Sequence, residues 1–232
     1  MAVELTGTAV AITWASGADP AGQSITVPTD ATAVYMFWSY WRNNDGDGLA
    51  SATLGGNAPD ETHEETTDSS GLTAAGVCAW YGPPTGSQTL DLAWDGAPDE
   101  GPTTIVVFVK GGSTSAWRDA DSGHTTGSDA ISVTLDSNTT DLVLKYDQRY
   151  DSLDGTPPST SSGWTSIETQ DNGDEASRLS YADSPGASST ACAAEDENYS
   201  SLVAISIPED TGGGGGGTIL PQIIQHYYGG PA

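Results

Sequence analysis

The sequence predicts an all-β protein, an antiparallel β-sandwich of jelly-roll type that carries a glycine-tethered peptide at its C-terminus. Three observations predict this fold. Short runs rich in Val, Thr, Ile and aromatic residues recur at a spacing of roughly 8–15 residues. Clusters of Gly, Pro, Asn and Asp, such as NNDGDG and GPPTG, separate these runs. No alternation of strand and helix patterns is present, which argues against Rossmann and TIM-barrel folds.

The strand pattern is clearest over residues 33–42, AVYMFWSYWR, the most apolar run of the chain. Both faces of this run carry large side chains, because Met36 and Trp38 lie on one face and Tyr35 and Phe37 on the other. We therefore expect a central strand that is covered on both sides, or one whose outer face meets a partner. The other predicted strands, in chain order, are 3–14, 24–27, 49–54, 74–81, 88–94, 103–110, 130–135, 141–146, 164–168, 177–181 and 202–207.

Composition and charge exclude several classes of partner. The 232 residues include 32 Asp and Glu against six Lys and Arg, for a net charge of −26. Such a surface repels phosphate backbones and anionic lipids, and no run approaches the roughly 20 apolar residues that a membrane span needs. Seven Trp and nine Tyr indicate a folded chain. The acidic excess fits either a saline environment or a solvated surface that prevents self-association.

The C-terminal region forms a separate part of the chain. We expect one sandwich domain over 1–210, a glycine linker over 211–217 and an apolar docking tail over 218–232. The tail spacing is compatible with one apolar face of a short helix, which would need a partner for stability. That partner could be the chain's own sandwich, a neighbouring copy or another protein; the alternative is a disordered tail. The expected docking residues are Ile219, Leu220, Ile223, Ile224, Tyr227 and Tyr228.

Chemical motifs are scarce. The chain has no nucleophile elbow, P-loop or dinucleotide-binding glycine pattern, and its three histidines are far apart in sequence, so we expect no catalytic residues and no enzyme. Asn43, Asp45 and Asp47 resemble the start of a calcium loop, but Leu54 stands where an EF-hand needs glutamate. A β-turn is the alternative, and no other cofactor is expected.

The two cysteines, Cys78 and Cys192, do not form a C-x-x-C pair, so a zinc site is not expected. Cys78 lies in an apolar strand pattern, which favours a buried free thiol. One long-range disulfide between the two is the alternative.

Aromatic residues near predicted loops could stack on sugar rings, as in carbohydrate-binding β-sandwiches. The alternative for each is a place in the core, because Phe and Met are scarce in this chain. The candidate glycan contacts are Trp94, Trp117 and Trp164.

A series of short motifs resembles uncharacterised β-sandwich proteins of tailed bacteriophages and prophages, especially marine ones. The resemblance covers most of the chain, and the order of the motifs carries it. The motifs are TLGGNA at 53–58, AWYGPPTGSQTL at 79–90, SVTL at 132–135, DLVL at 141–144, RLSY at 178–181, SLVAISIP at 201–208 and the apolar tail after the glycine run.

This resemblance implies a structural protein on the virion surface, a head decoration (cement) protein or a head or tail fibre component. Its partners would be the major capsid protein or another virion protein, together with further copies of itself in a homo-oligomer. Two alternatives from other classes are a carbohydrate-binding or host-adhesion module and a secreted or surface-layer protein of a halophile.

Overall fold

A computed structural model of the chain describes residues 2–41, 48–66, 73–98, 101–125, 131–150, 158–159, 162–173, 175–182, 189–192 and 199–210. These described residues form fifteen β-strands and no α-helix, so the predicted all-β fold is confirmed. No helix long and apolar enough to cross a membrane occurs among them. The glycine linker, the tail and the candidate calcium residues Asn43, Asp45 and Asp47 lie outside the described residues.

The strands divide between a first half, residues 2–110, and a second half, residues 119–210. The first half contains β1 (Glu4–Thr13), β2 (Gln23–Val27), β3 (Ala33–Trp41), β4 (Leu49–Leu54), β5 (Glu61–Thr66), β6 (Thr73–Tyr81), β7 (Gly86–Trp94) and β8 (Thr103–Lys110). The second half contains β9 (Asp119–Thr125), β10 (Ile131–Thr134), β11 (Leu142–Tyr150), β12 (Trp164–Asp171), β13 (Glu175–Ala182), β14 (Ser189–Cys192) and β15 (Tyr199–Ile207).

Each half builds two sheets, and every strand pairing is antiparallel. The first half has a five-stranded sheet in the order β1-β8-β3-β6-β5 and a three-stranded sheet in the order β2-β7-β4. The second half has a five-stranded sheet in the order β12-β13-β11-β15-β9 and a pair, β10-β14. This is a finer division of the predicted 1–210 domain. The jelly-roll connectivity stays a prediction.

The sheets stack as four layers, with an apolar core between each adjacent pair. Met36, Trp38 and Phe108 belong to the core between the two sheets of the first half. The two five-stranded sheets face each other across a central core that includes Tyr35, Phe37 and Tyr146. A third core lies outside the second five-stranded sheet and includes Ile131 and Val133 of β10. The fold is therefore a β-sandwich arrangement in which one half is packed on the other.

The alternating side chains of β3 explain its position in the stack. Even-numbered residues such as Met36 point into the first core, and odd-numbered residues such as Phe37 point into the central core. The expectation of a central strand covered on both faces is confirmed.

Three strands were not predicted: β5, β9 and β14. Their sequences, ETHEET, DADSGHT and STAC, are polar or very short. Asp, Glu and Gly are rare in strands, so β propensity does not detect such segments. β5 and β9 are each the last strand of a five-stranded sheet, where one edge needs no apolar neighbour.

Cys78 is a free thiol buried in the first core. β14, which carries Cys192, pairs with β10 in the outermost layer of the second half. The two positions are separated by the stacked five-stranded sheets, so the alternative of a Cys78–Cys192 disulfide is excluded.

Candidate functional site

A polar groove lies where the two halves meet along their edge strands. It has a volume of about 490 Å³. One wall comes from β5, and the other comes from the start of β9 and from the connector, residues 111–118, which joins the two halves. We call it the seam groove; its lining residues are Glu61, Thr62, His63, Trp117, Arg118, Asp119 and Ala120.

Glu61 holds the connector against the first half. Its Oε2 accepts a hydrogen bond from the hydroxyl of Tyr81 at 2.5 Å and another from the backbone N–H of Trp117 at 3.1 Å. Trp117 is half-buried and packs against the central core while it lines the groove. One carboxylate thus positions an aromatic side chain at the groove wall through its backbone.

Arg118 holds the connector against the second half. Its guanidinium binds both carboxylate oxygens of Asp141, with Nε–Oδ2 at 2.5 Å and Nη2–Oδ1 at 3.1 Å. Burial alone would raise the pKa of Asp141. The hydrogen bonds from Arg118, from the backbone N–H of Asn138 and from the Ser206 hydroxyl outweigh burial, and the pKa is held below its usual value. Asp141 is therefore charged in the folded protein, and its two-point contact orients Arg118 beside the groove.

The contact between β5 and β9 brings together two histidines that are far apart in the sequence. The Ser122 hydroxyl donates to Glu65 Oε2 at 2.8 Å and lies 3.0 Å from His63 Nε2. His124 Nδ1 lies 2.7 Å from Glu65 Oε1. β5 supplies His63 and Glu65, and β9 supplies Ser122 and His124, so the four side chains link the edges of the two five-stranded sheets.

The direction of these hydrogen bonds decides what the cluster can do. Ser122 has one hydroxyl proton, and this proton goes to Glu65, so His63 Nε2 must donate to Ser122. A nucleophile pair needs the reverse direction, with histidine accepting the serine proton. The cluster is thus built as a polar link between the halves. Among the described residues, no group of three or more His, Cys, Asp or Glu side chains is arranged to hold a metal ion.

The three tryptophans proposed as glycan contacts occupy different environments. Trp117 lines the seam groove. Trp94 is only 3% exposed and lies in the first core, edge-on to Trp38 with ring centroids 5.7 Å apart. Trp164 is 9% exposed, and Lys145 Nζ lies 5.0 Å from its ring centroid. The expectation is wrong for Trp94 and Trp164, because neither ring presents a face on which a sugar could stack.

The sequence patterns indicate one residue of the seam groove, Trp117, and none of the others. His63 lies in an acidic stretch of sequence, ETHEET, and is half-buried on β5. The alternation of Thr62, Glu64 and Thr66 with His63 and Glu65 is a period-two signal, but it lacks an apolar face. Asp141 and Arg118 are 23 residues apart, and no local pattern links them.

The candidate docking residues, Ile219, Leu220, Ile223, Ile224, Tyr227 and Tyr228, lie outside the described residues, as do Asn43, Asp45 and Asp47. Comparison with known protein families, with curated proteins and with solved structures finds no match for this chain.

Proposed function

We propose that the chain is a non-enzymatic structural protein on the surface of a tailed-phage virion, a capsid decoration or head-fibre protein. In this role it docks on the major capsid protein or another virion protein and on its own copies. The observation that carries the proposal is the distribution of charge along the chain. All 32 acidic residues lie at or before Asp210, and the last 22 residues contain none while carrying the Ile, Leu and Tyr cluster.

The point at which the tail leaves the folded part supports this role. The N–H of Asp210 donates to the carbonyl of Gly111 at 2.8 Å, and Glu209 forms a bridge with Gly112. Val3, just before β1, lies beside Gly112. The start of β1, the connector and the last described residue therefore share one end of the molecule. A docked tail would hold the molecule by that end and leave the acidic sandwich in solvent.

The resembling motifs that lie within the described residues, between 53 and 208, also support a structural role, because they form turns and strands of the sandwich. Gly55 and Gly56 adopt positive φ values of 57° and 80°, and the N–H of Gly55 donates to the carbonyl of Thr89 at 2.8 Å. Trp80 Nε1 donates to the carbonyl of Asn57 at 2.9 Å. The motifs at 53–58 and 79–90 are thus in direct contact and hold one corner of the first half together.

The test is to measure the chain in purified particles by quantitative mass spectrometry. Hundreds of copies per particle are expected for a decoration protein, and a dozen or fewer for a fibre or vertex component. Absence of the chain from particles would overturn the proposal.

A second experiment tests the tail. Particles are assembled with the full chain, with a deletion of residues 211–232, and with Ile223→Ser plus Ile224→Ser. Incorporation is expected to be lost in both variants, because the buried apolar surface that drives docking is removed. Gln225→Ala is the matched control and should incorporate normally. Normal incorporation of the deletion variant would show that the tail is not the anchor.

A second candidate function, glycan binding, is favoured by the seam groove. Trp117 offers an aromatic surface beside the polar side chains of Glu61, Arg118 and Asp119, which is the combination that sugar rings and hydroxyls require. The full chain would be applied to a glycan array. Trp117→Ala should abolish binding, and Trp117→Phe should retain part of it. Absence of binding by the wild type, or binding unchanged in Trp117→Ala, would contradict this function.

A further inference from the structure

The two halves repeat one pattern of strand pairing. β1 pairs with β8 as β9 pairs with β15, β3 pairs with β8 as β11 pairs with β15, and β3 pairs with β6 as β11 pairs with β13. The edge pairs β5·β6 and β2·β7 likewise correspond to β12·β13 and β10·β14. Only β4 has no counterpart among the described residues; most of 151–161, the matching interval, lies outside them.

The correspondence extends to individual residues. Once the stacked residues Phe37 and Tyr146 are matched, strand register assigns the other equivalent positions, because hydrogen-bonded neighbours in one half must match hydrogen-bonded neighbours in the other. Phe37 pairs with Ile105 and Val77, and its counterpart Tyr146 pairs with Val203 and Leu179. All six of these side chains are fully buried in the central core. The equivalent pairs, first half then second, are Tyr35 and Leu144, Phe37 and Tyr146, Val77 and Leu179, Ile105 and Val203, Val107 and Ile205, and Val109 and Ile207.

Most pairs of strands that touch across the central core have a counterpart when each strand is replaced by its equivalent in the other half; the contact of β3 with β13 lacks an equally extensive contact of β11 with β6. β1 contacts β12 and β9 contacts β5; β8 contacts β12 and β15 contacts β5; β6 contacts β15 and β13 contacts β8. β3 contacts its own counterpart, β11. Phe37 and Tyr146, which are equivalent, stack on each other with ring centroids 5.8 Å apart and an interplanar angle of 27°. A residue that packs on its own equivalent marks the position of a two-fold axis.

The edge strands of the two halves meet on both sides of this axis, β5 with β9 on one side and β12 with β1 on the other. These two contacts are also equivalent. On one side Glu65 of β5 binds His124 of β9 at 2.7 Å. On the other side Gln170 of β12 hydrogen-bonds Thr13 of β1. Register makes Gln170 the counterpart of Glu65 and Thr13 the counterpart of His124. The same pair of positions therefore joins the halves on both sides of the axis, with different side chains.

We propose that the chain is two copies of one jelly-roll unit, residues 2–110 and 119–210, joined through the self-complementary interface of a two-fold dimer. A jelly roll has eight strands, of which the first, eighth, third and sixth form one sheet and the second, seventh, fourth and fifth form the other. β1-β8-β3-β6 and β2-β7-β4 follow this order, and β9-β15-β11-β13 and β10-β14 repeat it. Both halves differ from the jelly-roll order in the same way. The strand in the fifth position, β5 or β12, pairs with the strand in the sixth position, β6 or β13, and does not join the other sheet. The surface that each half buries in the central core is thus one that fits a second copy of the unit, and the connector is not needed to specify the pairing.

The test uses the full chain with a protease site inserted between Thr114 and Ser115, which are both exposed. After cleavage of the folded protein, the two fragments are separated in denaturant, refolded apart and mixed. The expected result is a 1:1 complex with the elution volume and near-ultraviolet circular dichroism of the uncut protein. The matched control carries the site between Gly96 and Ala97, within the first half. Its fragments should not recombine, because β8 must enter the middle of a sheet between β1 and β3.

Linker-cut fragments that fail to form the complex, or that recombine no better than the control fragments, would overturn the proposal. If the insertion prevents folding, segments 2–114 and 115–232 are produced in the same cell. A co-purifying 1:1 complex with the spectrum of the full chain is then expected, and separate recovery of the two segments would contradict an interface that pairs the halves without the connector.

Discussion

At the scale of single residues, the charged side chains that contribute most to stability are those that are buried and hydrogen-bonded. Asp141 is 1% exposed and receives hydrogen bonds from Arg118, Ser206 and the backbone of Asn138. Most of the other acids in the described part of the chain are exposed or half-exposed, where water screens them. Asp141 therefore contributes to stability in a way that the net charge of −26 does not reveal.

We expect Asp141→Asn to lower the free energy of unfolding at pH 7 by about 1–3 kcal/mol, because it removes a charged acceptor from buried donors. The pKa of Asp141 is lowered in the folded state, so its contribution is present above the unfolded pKa of roughly 4 and is lost as pH falls through the folded pKa. Urea unfolding at several pH values checks this. The variant should lose less stability than the wild type below about pH 4, and exposed Asp91→Asn should behave as the wild type. Equal acid sensitivity in Asp141→Asn would contradict this account.

Cys78 gives a second prediction at this scale. Burial raises the pKa of its thiol to about 12, so almost no reactive thiolate exists at neutral pH. We expect Cys78 to resist maleimide labelling in the folded protein and to react fully in urea, as measured by peptide mass spectrometry. Rapid labelling of the native protein at Cys78 would show that the first core opens readily.

At the scale of elements, the turn after β4 shows how a local motif sets up a corner of the fold. Gly55 and Gly56 both have the left-handed backbone that glycine favours. A Cβ on Gly55 would clash with Gln88 Oε1 and lie 3.4 Å from Pro84 Cγ, whereas a Cβ on Gly56 would meet nothing within 4 Å. Substitution of Gly56 therefore tests the cost of the left-handed backbone alone, and substitution of Gly55 adds the cost of a steric clash.

We expect Gly56→Ala to destabilise the protein by about 1–2 kcal/mol, the cost of a left-handed conformation for a residue with a side chain. Gly55→Ala should cost more, because the Gln88 side chain must also move. Thermal or urea unfolding of the two variants measures the difference. Equal destabilisation of the two variants would show that the Gln88 side chain can move aside without lowering the free energy of unfolding.

At the scale of the whole molecule, like charges repel across a surface with few bases. Only six Lys and Arg offset 32 acids, and Lys145 is fully buried beside Asp147, with Nζ–Oδ2 at 2.9 Å. Salt shortens the screening length from about 10 Å at 0.1 M to about 3 Å at 1 M. Repulsion between acidic surfaces should therefore weaken steeply as salt is added.

We expect the melting temperature to rise between 0.1 M and 1 M salt, by the same amount for NaCl and KCl.

Millimolar CaCl₂ at constant ionic strength tests the loop of Asn43, Asp45 and Asp47. A further rise that a chelator reverses, and that Asp45→Asn plus Asp47→Asn removes, is expected for a calcium site. A melting temperature unchanged by chelator would reject the site.

The sequence alone determined the all-β class and twelve of the strands, because an apolar period of two is a local property that a strand buried on one or both faces must carry. It also identified β3 as a central strand and Cys78 as a buried thiol. Only the tertiary structure decided that the strands form two repeating halves, that polar β5 and β9 are edge strands, and that Trp117 lines a groove while Trp94 is core. The physical reason is that pairing order and burial depend on contacts between distant residues. Equivalent positions such as Phe37 and Tyr146 need only similar shape and polarity, so the repeat leaves little trace in the order of the amino acids.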